Sequence, residues 1–204
     1  MEEFLKYERY ASRLELLIIR PLYSCILGIV LWVYMIIAGI CNWIQGIIVL
    51  ITGERNESLN NYIKQAIEFF VQMLPYTSAL TDKRPEFTHK GMRMEIDELE
   101  YNNYVNDYFK YERYASRLEL LIIRPLYSCV LCIVLWVYMM IGGICSAIQW
   151  LIVLITGERN GSLNNYIKQY VEFFVQILPY SYMLTDKRPD LSHKQVNIFV
   201  ELLW

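Results

Sequence analysis

The chain has 204 residues, room for one or two domains, and is 55% hydrophobic and 15% aromatic yet still 20% charged. That mixture fits apolar membrane segments flanked by charged ones. A net charge of −2 excludes the basic field that binds nucleic acid through its phosphates. Five cysteines (Cys25, Cys41, Cys129, Cys132 and Cys145), all inside apolar runs, exclude a secreted disulfide framework.

Met1 to Arg20 carries eight charges (Glu2, Glu3, Lys6, Glu8, Arg9, Arg13, Glu15 and Arg20), so no signal peptide is read there. Within this lead-in starts the feature that organises the chain. Tyr7–Cys25 recurs unchanged as Tyr111–Cys129, and the copies stay in register through Lys90 and Lys194 with 18 differences over 84 positions. The expected units are a first repeat at 1–90, a polar acidic linker at 91–110, a second repeat at 111–194 and a tail at 195–204. The joint at 91–110 is expected to form a short interfacial helix or a linker.

Pro21 to Gly53 and Pro125 to Gly157 contain no charge. As a straight helix each run extends about 50 Å, against a hydrocarbon core of about 30 Å. Pro21 suits a first helical turn, and Thr52-Gly53 reads as a C-terminal cap. Trp32, Tyr34 and Trp43, with Trp136, Tyr138 and Trp150, are candidate interfacial or packing aromatics.

A second helix is expected from Ser58 to about Leu80 and from Ser162 to about Leu184. Leu59, Tyr62, Ile63, Ala66, Ile67, Phe70, Met73 and Leu74 recur at helical spacing. Asn60, Lys64, Glu68 and Gln72 form a polar stripe on another face, repeated as Asn164, Lys168, Glu172 and Gln176. Each central charge costs about 2.5–3.5 kcal/mol in a bilayer. The helix therefore either lies in the interface or crosses with its stripe against protein or water.

The copies carry near-identical charges, so positive-inside bias predicts that they point the same way, with an even number of crossings each. Four crossings put most basic residues on the side of both termini and only Arg55 and Arg159 on the other. A shallow hairpin in each repeat, or inverted repeats, are the alternatives.

Differences between the copies exchange bulk: Trp43 for Ala147, Gly46 for Trp150, Ala38 for Gly142 and Ala66 for Tyr170. Small residues let membrane helices approach. Trp43 is therefore expected near a Gly142/Gly143/Ala147 surface across a pseudo-two-fold axis, with lipid-facing drift as the alternative.

Little else suggests chemistry. Cys129-x-x-Cys132 is read as buried apolar residues, because its first-copy counterpart pairs Cys25 with Gly28. His89 and His193 are read as solvated, and Thr52–Asn56 as a helix-ending turn. The stripe is the candidate ion or solute path, since ionisable groups inside a membrane mark function by default.

The Ser12-Arg13-Leu14 lead-in, the Leu-Ile-Thr-Gly end of the apolar run (50–53) and the closing Leu80-Thr-Asp-Lys-Arg-Pro85 together resemble the membrane family domain of unknown function 4389. The resemblance covers about 80 residues of each copy. It implies a helical membrane architecture and a prokaryotic setting, without a mechanism.

The expected protein is therefore an all-α integral membrane protein built as a tandem repeat, with four membrane helices in total. It sits in the cell membrane with cytoplasmic termini. It is expected to be non-enzymatic, without cofactor or metal, packing as an accessory or scaffold subunit against lipid and other membrane proteins or itself. A homo-oligomeric channel lined by the stripe, or a membrane-shaping hairpin protein, are the alternatives.

Overall fold

The computed structural model describes residues 7–87, 92–96, 110–192, 194 and 196–200. It is built on four helices, two in each repeat. The lead-in of each copy ends in one π-helical turn, Glu15–Ile19 and Glu119–Ile123. Each turn runs into a long α-helix: α1 (Arg20–Thr52) and, after the linker, α3 (Arg124–Thr156). Proline sits in the first turn of both, where its missing N–H has no partner to lose. Gly53 (φ 78°) and Gly157 (φ 79°) end them in the left-handed conformation that glycine adopts without steric cost.

The second helices are α2 (Glu57–Thr77) and α4 (Gly161–Ser181). Asn56 caps α2 by accepting from the Leu59 N–H, and Asn160 caps α4 by accepting from Ser162 and Leu163. Pro75 and Pro179 lie in the last turns and end each helix soon after. Beyond them Ala79 (φ 63°) and Met183 (φ 57°) take up left-handed backbone although neither is glycine. A two-stranded antiparallel ribbon joins β1 (Met92–Ile96) to β2 (Val196–Val200), with Met94 opposite Ile198. Part of the linker thus forms a strand rather than a helix.

Packing follows the repeat. Leu27 of α1 meets Phe69, Met73 and Tyr76 of α2, and Leu131 of α3 meets Phe173, Ile177 and Tyr180 of α4. α2 and α4 meet each other through Ile63, Ile67 and Val71 against Ile167, Val171 and Val175, and Val196 of the ribbon closes this central core. Within a copy the helices are antiparallel, since Arg20 at the start of α1 donates to the Thr81 carbonyl beyond the end of α2.

The relation between copies decides the topology. The end of α1 docks on the lead-in of the second copy: Ala115 N–H donates to Gly53 O and Arg55 N–H to Arg113 O. Reciprocally, Ala11 N–H donates to Gly157 O and Arg159 N–H to Arg9 O. The C-terminal end of each long helix therefore lies beside the N-terminal end of the other, so α1 and α3 run antiparallel about a pseudo-two-fold axis. Phe70 and Phe174, equivalent residues, meet across that axis with ring centroids 5.5 Å apart. The expected sorting of Arg55 and Arg159 to a side of their own does not hold, because each sits among the basic lead-in residues of the other copy. Charge counting missed this because the contacts that fix it join residues more than fifty positions apart.

Candidate functional site

Each reciprocal dock is held by one buried arginine from the turn between two helices. Arg159 donates from Nε to Ala79 O (3.1 Å), from Nη1 to Glu8 O (3.1 Å) and Tyr10 O (2.9 Å), and from Nη2 to Asp82 Oδ1 (2.5 Å). Arg55 repeats the pattern on Met183 O, Glu112 O, Tyr114 O and Asp186. The same aspartate oxygens accept from Arg20 and Arg124, the first residues of α1 and α3. Each fork of planar donors thus ties three segments from both copies, a role that a lysine's single ammonium cannot fill.

A second pair of clusters precedes the apolar runs. Glu15 receives Arg84 through both carboxylate oxygens (3.0 and 2.8 Å) and the Tyr76 hydroxyl at 2.9 Å. Glu119, Arg188 and Tyr180 match them. The arginine bonds hold both carboxyls below the usual carboxylate range, against the upward push of burial. Burial and the carboxylate push the Tyr76 and Tyr180 phenols up to about 12.

The apolar surface is the dominant exposed feature. Thirteen large apolar side chains of α1, from Leu22 to Ile51, and thirteen of α3, from Leu126 to Ile155, are exposed. Only one stripe of each long helix, including Leu27, Ala38, Gln45 and Val49 of α1, is covered by protein. Both helices are long and apolar enough to cross a membrane, and just 11% of the most apolar window of each is buried. A core helix of a water-soluble protein would be covered on every side.

The polar stripe is placed differently from the path it suggests. Asn60, Glu68 and Gln72 are buried, as are Asn164, Glu172 and Gln176. Lys64 pairs with Glu68 at 3.8 Å and Lys168 with Glu172 at 3.7 Å, and Gln176 accepts from the Lys194 N–H. The stripe is thus mostly buried against protein, with Asn60 beside Gln45 of α1 and Gln176 beneath the Lys194 N–H, on a different face of α2 and α4 from Phe70 and Phe174.

The bulk exchanges also resolve. Gly142 receives Tyr170 of its own copy: a Cβ there would lie 2.8 Å from the Tyr170 ring. Ala38 and Ala66, fully buried, are the first-copy equivalents. Trp43 is 77% exposed and Gly143 has open space around it, so Trp43 does not fill the Gly142/Gly143/Ala147 surface. One exchange does act between copies: Gly46 lies 3.5 Å, measured from an added Cβ, from Met183 of the second copy. The counterparts of Gly46 and Met183 are Trp150 and Ala79, so the small and large members change places between the copies. Ala147 is exposed and Trp150 is 38% exposed.

Sequence reasoning passed over Gln45 and Gln149, each the one glutamine in an uncharged run. Both are buried; Gln149 accepts from the Asn160 N–H and Gln45 lies 3.5 Å from Asn60. A glutamine kept at the same place in both uncharged runs, where Asn42 gives way to Ser146, was the available signal. His89 and His193 lie outside the described residues.

The model of the family described as Domain of unknown function (DUF4389) matches residues 15–89 and again 119–191. The chain belongs to that family. Each DUF4389 unit runs from the π-turn through the long helix and the second helix to the segment after Pro85 or Pro189, so the arginine docks lie within or just before the matched segments. No curated protein and no solved structure matches the chain.

Proposed function

We propose that the protein is a non-enzymatic membrane scaffold held in one leaflet, with α1 and α3 lying flat along the bilayer and α2, α4 and the ribbon facing water. The observation that carries this is where the linker begins and ends. Pro85 is bonded to Tyr23 at the start of α1, and Tyr111 to Arg55 just past its end. If α1 stood upright across a bilayer, the chain between Phe87 and Lys110 would have to cross as well. That stretch holds seven charges (Lys90, Arg93, Glu95, Asp97, Glu98, Glu100 and Asp107), which cost about 20 kcal/mol together at the centre of a membrane. A lipid-exposed ribbon with open edges is equally foreign to hydrocarbon.

With the long helices flat, the pseudo-two-fold axis stands along the membrane normal. Both repeats then present the same face to lipid, which reconciles their identical charges with one orientation. All basic residues fall on one aqueous side, the cytoplasmic side by positive-inside bias. At about 1 kcal/mol for each half-exposed apolar side chain, the twenty-six exposed side chains of α1 and α3 give ample attachment. The buried stripe, neutralised by Lys–Glu pairs, favours a scaffold over a channel. The water-facing layer is then the surface offered to other subunits of a complex.

One-sided labelling tests this. In a cysteine-free background, Glu54→Cys marks the end of α1 and Glu86→Cys the segment after α2. Impermeant maleimide labels both from the same side of sealed vesicles if the helices lie flat. Labelling from opposite sides refutes the proposal.

A further inference from the structure

On the in-plane reading above, we infer that this protein bends the membrane it sits in, with a curved lipid leaflet as its preferred partner. The two apolar rods are each about 50 Å long and 10 Å wide, so together they occupy about 1,000 Å² of one leaflet. Nothing in the described chain enters the other leaflet. Area added to one side alone is relieved by curvature toward that side, as for amphipathic helices lying at the headgroup–acyl boundary.

Three features keep the rods shallow and stiff. Arg13 and Arg117 donate to the Ile155 and Ile51 carbonyls at the ends of the long helices, and both residues are exposed. These charges pin the rod ends at headgroup depth. Trp32, Trp43 and Trp136, all more than 60% exposed, suit the same boundary along the rods. The Arg55–Asp186 and Arg159–Asp82 pairs, with both arginine side chains at most 1% exposed, lock the two rods end to end, so the wedge acts as one body.

The test reconstitutes the full chain into large unilamellar vesicles at rising protein-to-lipid ratio. Vesicle radius is read by electron cryo-microscopy, and the Glu54→Cys and Glu86→Cys labelling is repeated in the same preparations. The inference expects same-side labelling together with a radius that falls several-fold, or tubules, as protein increases. Same-side labelling with unchanged vesicles overturns the bending inference and leaves the in-plane reading standing. Opposite-side labelling overturns the in-plane reading and this inference with it.

Discussion

Asp82 Oδ1 accepts from Arg20 of its own repeat at 2.7 Å and from Arg159 of the other at 2.5 Å. One carboxylate oxygen therefore joins the start of α1, the end of α2 and the end of α3, and Asp186 does the same with exchanged copies. Both arginines are buried, and removing Arg159 strands the Ala79, Glu8 and Tyr10 carbonyls and leaves Asp82 with Arg20 alone.

Arg159→Ala and Arg55→Ala are each expected to cost about 3–5 kcal/mol of stability, read as a lowered melting temperature of the detergent-solubilised protein. Lysine at either position should recover little of it, because one ammonium cannot reach three carbonyls and a carboxylate together. Arg9→Ala and Arg113→Ala remove exposed pairs with Glu158 and Glu54 and should leave the melting temperature nearly unchanged. Equal losses in all four variants would contradict the lock.

Gly142→Ala places a methyl 2.8 Å from the Tyr170 ring and should destabilise by about 1–3 kcal/mol. Adding Tyr170→Ala recreates the Ala38/Ala66 arrangement of the first repeat. The double variant should lose less than the sum of the single losses, a coupling that a double-mutant cycle measures. Additive losses would mean that the two positions do not share the space.

How much of this was legible in the sequence divides along contact range. The duplication, the 33-residue apolar helices ended by Gly53 and Gly157, and the second helices follow from local patterning, and their boundaries agree within a few residues. Topology did not follow, because Arg55 near Arg113 pairs segments that charge counting assigned to opposite sides. The Trp43 surface failed for a similar reason: bulk exchange shows that space is shared, without showing that Gly142 shares it with Tyr170 of the same repeat. The stripe was visible as a stripe, but the partners that bury it, Gln45 of α1 beside Asn60 and the Lys194 N–H on Gln176, belong to other segments.

Acid should weaken the fold through Glu15 and Glu119. Their carboxyls titrate below the ordinary 4.5 in the folded chain, so the unfolded chain binds more protons as pH falls. The stabilisation is complete above that ordinary value and is lost as pH drops through the lower folded values. Melting temperature should hold from neutral pH down to about the ordinary carboxylate value and then decline. Glu15→Gln/Glu119→Gln should start lower and decline less; an identical acid decline in that variant contradicts the assignment.

Ala79 carries a Cβ at φ 63°, a conformation that costs a non-glycine residue about 1–2 kcal/mol. Its carbonyl accepts from Arg159, so the strain sits inside the dock. Ala79→Gly should keep that bond and raise stability by up to about 1 kcal/mol, seen as a higher melting temperature. A lower one would show that the Ala79 methyl packing with Leu16 and Val153 outweighs the backbone relief.

Depth of the long helices tests the in-plane account most directly. Single-tryptophan variants keeping Trp32, Trp43, Trp136 or Trp150, reconstituted with lipids brominated at defined acyl positions, report each side chain's distance from the bilayer centre. The account predicts one shallow depth for all four. Upright helices would put Trp32, close to the middle of α1, about 6 Å from the bilayer centre, and so deep a position would contradict it.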